Sequence, residues 1–328
     1  MVKEVKYGVI SDIHEDPRII VPALQVLRQL GAEKLLVNGD IGGWRGDLQS
    51  SQDYTAFILG QIARTGMESF IQPGSHEPLV AYGPVVEHFA GKFSNIIDAL
   101  KVPRVEQDGH TLVFLPGSDF TCGGEYQIGN GKIPTGRWAQ VGKKLLPVEN
   151  WKDYQFLAQN GAQGFFHYSN MNDLRQHITN PENTIVICHV PRKFSGLETC
   201  VDMAEFGEAT EQFNLQGNRV EKGSVFPIQS AVQIAQAGYP VAIKKENRGN
   251  QALAESYDEL GVIKSVTGHF HESSHRANDR RGNHVAEGVY ANELFWNSGH
   301  LDRGYTGILA VRGEEVKYQN VDLREYLK

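Results

Sequence analysis

The chain has 328 residues, 40% of them hydrophobic and 22% charged, with a formal net charge of −7. This is the composition of an ordinary globular protein, long enough to bury a sizeable core as one elaborated domain or two modest ones. The acidic balance excludes a blanket pull toward nucleic acid or anionic membranes, and no run approaches the roughly 18 apolar residues of a bilayer span. Three cysteines, at 122, 188 and 200 and without a CxxC pair, point to reduced thiols. The opening Met1-Val2-Lys3-Glu4 lacks the apolar stretch of a leader, so the expected home is cytoplasmic.

In chain order, Val5–Ile10 reads as a buried strand. Ile20, Ala23, Leu24, Leu27 and Leu30 then recur at helical spacing between Pro17 and Gly31. A second strand is expected at Lys34–Asn38, a helix at Tyr54–Ala63, a third strand at Met67–Gln72 and a helix near Leu79–Ala90. This alternation predicts βαβ units with mainly parallel pairing. Beyond Thr111–Pro116 the regularity lapses. Residues 119–180 and 191–250 read as two inserted, cap-like segments in a single domain spanning 1–328. Thr184–His189 and Val262–His271 restore the strand-to-loop pattern, and Gly307–Val311 with Glu315–Val321 predicts a closing hairpin around Gly313.

At the end of each apolar run stands a short motif. In order they are Asp12-Ile13-His14, Gly39-Asp40, Gly74-Ser75-His76-Glu77, His189 after Thr184–Cys188, and Gly268-His269-Phe270-His271. Residues at i and i+2 of an extended chain point the same way, so Asp12 with His14, and His269 with His271, each aim two ligands into one crevice. Open α/β sheets place such crevices at the carboxyl ends of their strands. Imidazole suits Zn, Mn and Fe, and a carboxylate such as Asp40 can bridge two ions.

The five motifs in this order resemble the calcineurin-like metallophosphoesterase superfamily, whose pattern runs DxH, GDxx, GNH(D/E), H and GHxH. The match runs from Asp12 to His271, and Asn297-Ser298-Gly299-His300 looks like the segment that precedes the family's closing strands. The resemblance implies a four-layer αββα sandwich with two divalent metals, Mn, Fe or Zn, at one edge. It implies a first metal on Asp12, His14, Asp40 and His271, and a second on Asp40, position 75, His189 and His269. His76 becomes the phosphate contact and leaving-group acid. The implied activity is hydrolysis of a phosphoester, a diester or nucleotide by preference, through attack of a metal-activated hydroxide on phosphorus.

Position 75 departs from the pattern. It is Ser75 where the family has Asn, and a hydroxyl is a shorter and weaker ligand. Asn38, on the same strand face as Asp40, is a conceivable substitute. Arg45, five residues past Asp40, is a candidate phosphate contact against the reading of a solvated loop arginine. Glu77 either orients His76 or simply opens the next helix. The aromatics between 126 and 168 either stack a nucleobase or pack a cap. The expected partner is a small phosphoester or nucleotide, with no membrane and no nucleic-acid patch evident. A non-catalytic scaffold of the same fold, a nuclease and a phosphoprotein phosphatase are the rival functions.

Overall fold

The computed structural model describes residues 3–119 and 124–327. Cys122 lies outside the described residues; Cys188 and Cys200 are buried free thiols. Among the described residues, no helix is long and apolar enough to cross a membrane.

Two six-stranded sheets face each other. The first runs, edge to edge, Glu315–Asp322, Tyr305–Arg312, Val5–Ile10, Lys34–Asn38, Glu68–Gln72 and Ile96–Asp98. The four strands from Val5–Ile10 onward are parallel, and the C-terminal hairpin joins antiparallel. The second sheet has parallel strands His110–Leu115, Thr184–Cys188, Lys264–Thr267 and Leu294–Asn297, with antiparallel Arg104–Gln107 and Ala277–Asn278 at its edges.

Strand alternation builds the layers. Val5, Tyr7 and Val9 point between the sheets and meet Phe114, Ile187, Val266 and Trp296 of the opposite one. Ile10, Leu35, Val37 and Ile71 point outward and bury the apolar faces of helices Ile20–Gln29 and Leu48–Thr65. On the far side Val186 and Cys188 pack with Leu253 and Tyr257 of helix Gln251–Leu260. The four-layer αββα architecture expected from the sequence is therefore present.

Two details differ from the sequence reading. The second helix spans Leu48–Thr65, six residues longer at its start than Tyr54–Ala63, because Asp47 caps it by accepting from the Ser50 amide at 2.8 Å. Its first turn carries Gln and Ser, so apolar periodicity does not announce it. The segment 119–180 is regular where irregularity was expected. It contributes a five-stranded sheet ordered Lys144–Pro147, Gly136–Val141, Gly164–Asn170, Tyr126–Gly129 and Ser118–Asp119, plus helix Trp151–Gln159. The second insertion forms a three-stranded antiparallel sheet, Val225–Pro227, Met203–Ala209 and Val241–Asn247, with helix Ile228–Gln236 and a small hairpin. Short, half-exposed strands leave no continuous apolar run to read.

The added sheet carries His167, whose imidazole burial holds down to about 4, with Arg137 nearby adding to the effect. Its folded pKa lies below the unfolded value near 6.5, so the neutral ring contributes stability in full above pH 6.5 and loses it as pH falls toward 4. Chemical denaturation from pH 7 to 4 should cost the wild type about 3 kcal/mol more than His167→Phe, which cannot titrate. Parallel pH profiles for the two proteins would refute this.

Candidate metal centre

Every motif leaves the carboxyl end of a parallel strand, and the strand order brings those ends together. Asp12 follows Val5–Ile10, Asp40 follows Lys34–Asn38 and His76 follows Glu68–Gln72; across the gap, His189, His269 and His300 follow three neighbouring strands of the second sheet. Asp12, Asp40 and His269 have φ of 57°, 53° and 69°. Left-handed backbone is uncommon outside glycine and persists where the surroundings fix it. Here the Asp12 amide donates to the Gly39 carbonyl at 3.1 Å and the Ile13 amide to the Asp40 carbonyl at 2.6 Å. Gly39, at φ +81°, has no room for a side chain: a Cβ would sit 2.7 Å from Gly74 Cα and 2.8 Å from His189 Nδ1. One at Gly74 would strike the Asp40 carboxylate itself.

Asp40 is the hub. Its Oδ1 accepts from the Ser75 amide at 2.5 Å and the His76 amide at 2.9 Å, and its Oδ2 accepts from Ser75 Oγ at 2.9 Å. The same Oδ2 lies 3.2 Å from His189 Nε2 and 3.9 Å from His76 Nε2. Asp12 Oδ2 accepts from Ser11 Oγ at 2.6 Å, while its Oδ1 lies 3.3 Å from His271 Nε2 and 4.0 Å from His189 Nε2. His14 Nε2 and His271 Nε2 are 3.4 Å apart. Among the described residues, three sets of ligand atoms draw within 4.8 Å of one another: His14, His271 and His300; His14, Asp40 and His76; and Asp40, His189 and His269. Asp40 belongs to two of them, as a bridging carboxylate would.

The electrostatics suit cations. Burial alone would raise the Asp12 and Asp40 carboxyls, but the imidazoles of His271 and His189 outweigh it and hold both well below the ordinary range. Burial alone would lower His189, yet Asp40, with help from Asp12, lifts it to about 10. Burial, with the charge of His189, presses His269 down to about 4. A field that holds a proton on His189 also favours a metal cation in that place. The decisive test of fit is His189 itself. Its Nδ1 donates to the Asn38 carbonyl at 2.8 Å, and its fully buried Nε2, directed at Asp40, makes no hydrogen bond. With Nδ1 committed to Asn38, Nε2 is the nitrogen that carries the exchangeable proton and that a metal would take in its place. The donor set fits divalent cations.

Other residues have jobs the sequence did not reveal. Glu77 neither orients His76 nor merely starts a helix. Its two oxygens accept from the amides of Ile41 at 2.7 Å and Gly74 at 2.8 Å, stapling the Asp40 loop to the Ser75 loop. Burial, with Asp40 close by, pushes its carboxyl up to about 8. Asn38 is not a substitute ligand: its amide spans the two sheets, donating to the Cys188 and Val266 carbonyls at 3.3 Å and accepting from Gln72 at 2.5 Å. Arg45 stacks on Tyr54 at 3.9 Å and donates to the His14 carbonyl at 2.5 Å, which places it beside the Asp12 loop. His300, which the sequence placed only in the Asn-Ser-Gly-His turn, stacks on His271 with ring centroids 3.5 Å apart. Asp302 escaped sequence reasoning altogether. It accepts from the amides of His14, Glu15 and Asp16 at 2.9, 2.9 and 3.3 Å and so shapes the first motif; only its position just past the Asn-Ser-Gly-His turn hinted at it.

Ser75 meets the site through Asp40, its hydroxyl spent on the Asp40 carboxylate. An Asn at this position carries its amide oxygen farther from the backbone. Ser75→Asn is therefore expected to lower the Mn²⁺ concentration for half-maximal activity about 10-fold, the lower end of what one ligand or its support changes in metal affinity. A Mn²⁺ titration with metal analysis after dialysis checks this; two equivalents retained by the wild type, with no gain from Asn, would contradict it.

No family model and no curated protein matches the chain. Among solved structures it is similar to TT1561 of Thermus thermophilus, with a TM-score of 0.51 and 11% identity over 98% of this chain and 100% of that one. A dimetal phosphatase from Danio rerio aligns at a TM-score of 0.45 and 9% identity, covering 97% of this chain and 99% of that one. At such identities the likeness is one of fold. With two facing sheets, helices on both outer faces and the five ordered motifs at one end, the chain has the four-layer αββα fold that the motifs' resemblance implied, and it shares that fold with TT1561.

Proposed function

We propose that the chain is a metal-dependent phosphoesterase, acting on phosphodiesters or nucleotides. The observation that carries the reading is the buried His189 Nε2, free of hydrogen bonds and directed at the bridging carboxylate of Asp40. Asp12, His14, Asp40 and His271, with His300 stacked beside them, would hold one cation; Asp40, His189 and His269 would hold the other. When bound, two such cations neutralise phosphoryl oxygens and lower the pKa of water toward neutrality. The chain's own part begins with His76, whose side chain is 55% exposed at the rim and stacks on His14 at 4.6 Å. From there it can donate a proton to the departing oxygen, and Arg45, anchored on Tyr54, stands near enough to the first motif to meet a phosphate. Asp302 and Glu77 hold the loops in register. Gly124 of the insertion packs so closely on the Ser75 carbonyl that a Cβ there would collide, so the insertion borders the site as a cap would, and this is the ground for the lean toward diesters or nucleotides.

The protein stripped with chelator and reloaded with Mn²⁺ should hydrolyse bis-p-nitrophenyl phosphate, and the stripped form should not. p-Nitrophenyl phosphate and cyclic nucleotides assayed alongside give the ester class. Metal-loaded protein inert on all of them would favour the scaffold reading.

A further inference from the structure

Away from the metal centre, a cavity of about 240 Å³ lies where the inserted sheet meets the core. Leu79, Val86 and Asp98 come from the core; Arg137, Trp151 and His167 come from the insertion. A second space of about 150 Å³ adjoins it, and the two share Leu100 and His167 as walls.

Two buried polar groups on the walls of these spaces lack protein partners, and a third has one. His167 is 7% exposed and its Nδ1 makes no hydrogen bond; Ser169, 3% exposed, has a hydroxyl in the same condition. The Asp98 carboxylate, 5% exposed, accepts from the Leu100 amide at 3.0 Å. Among the described residues, no Lys, Arg or His nitrogen lies within 4.0 Å of it. The nearby cations are taken by Glu87, which pairs with Arg137 at 3.6 Å and Lys101 at 3.7 Å and accepts from the Trp151 indole at 3.0 Å. Lys101 and Arg137 act on Asp98 only from beyond ion-pair distance, and burial outweighs them, raising the Asp98 carboxyl above its usual range; a carboxylate so buried without a close cation is costly. The missing complement is therefore a cation small enough to enter. Its body should be largely apolar, because Leu79, Val86, Val148 and Trp151 share the wall with the Glu87, Lys101 and Arg137 ion pairs. The neutral ring of His167 offers a second acceptor for an ammonium hydrogen.

We propose that this cavity binds a small organic amine, its ammonium on Asp98 and its apolar body against Leu79, Val86 and Trp151. Amine binding there does not depend on phosphoester hydrolysis at the metal centre.

Benzylamine and benzoate, matched in size and opposite in charge, serve as probes for calorimetric titration of the full chain. Benzylamine should bind saturably and at least 10-fold more tightly than benzoate, and Asp98→Asn should weaken it at least 10-fold. A crystal soaked with benzylamine should show the amine beside Asp98, which decides the matter even if the variant does not fold. Absence of saturable benzylamine binding up to roughly 10 mM, equal affinity for benzoate, full affinity in Asp98→Asn, or an amine seated elsewhere would each overturn the proposal.

Discussion

Asp40→Asn is expected to reduce turnover on the order of 10³-fold while leaving the fold intact, a loss comparable to removing one preorganised electrostatic group from an active site. The isostere keeps the geometry. An amide oxygen can take the place of Oδ1, which accepts from the Ser75 and His76 amides, while the amide nitrogen takes the place of Oδ2. What disappears is the negative charge shared by the two ligand sets that meet at this residue. A neutral group there cannot bridge two cations, and the field that lifts His189 to about 10 loses its main source. Metal analysis should find fewer bound equivalents, and circular dichroism should be unchanged. Hydrolysis at the wild-type rate, at matched metal, would remove the dinuclear mechanism.

The contrast between Asp40 and Asp302 shows what the sequence could and could not disclose. Asp40 ends an apolar strand run behind a glycine, so period-2 patterning places it at a strand tip and its chemistry follows. Asp302 acts on His14 from 288 residues away along the chain, and nothing local marks a loop residue whose role depends on which strands lie side by side. Glu77 is the same case: its spacing suggested service to His76, but the closeness of the Asp40 and Ser75 loops decides whom it serves. The parallel core was readable because fully buried strands give near-continuous apolar runs. The inserted sheet was not, since Gly136–Val141 and Lys144–Pro147 are partly exposed on both faces and so show neither an apolar run nor a clean alternation. His300 lay between these extremes, visible as a motif but assigned to the site only once Leu294–Asn297 paired beside Lys264–Thr267.

His76→Ala should separate proton transfer from phosphate binding. Its imidazole is the most exposed of the clustered histidines, with Nε2 3.9 Å from Asp40 Oδ2, outside hydrogen-bonding range and turned to the rim. A group so placed touches the substrate before it touches the cations. General acids contribute about 10²–10⁴-fold, and only where the leaving group needs the proton. Alkyl esters depart as strongly basic alkoxides, whereas p-nitrophenolate, with a conjugate-acid pKa of about 7, departs unaided. The variant should therefore lose at least about 10²-fold in kcat on an alkyl phosphoester and less than about 10-fold on its p-nitrophenyl counterpart. An equal loss on both esters, carried in KM, would reassign His76 to holding the phosphoryl group, and the donor of the proton would then have to be sought among solvent and the groups around Arg45.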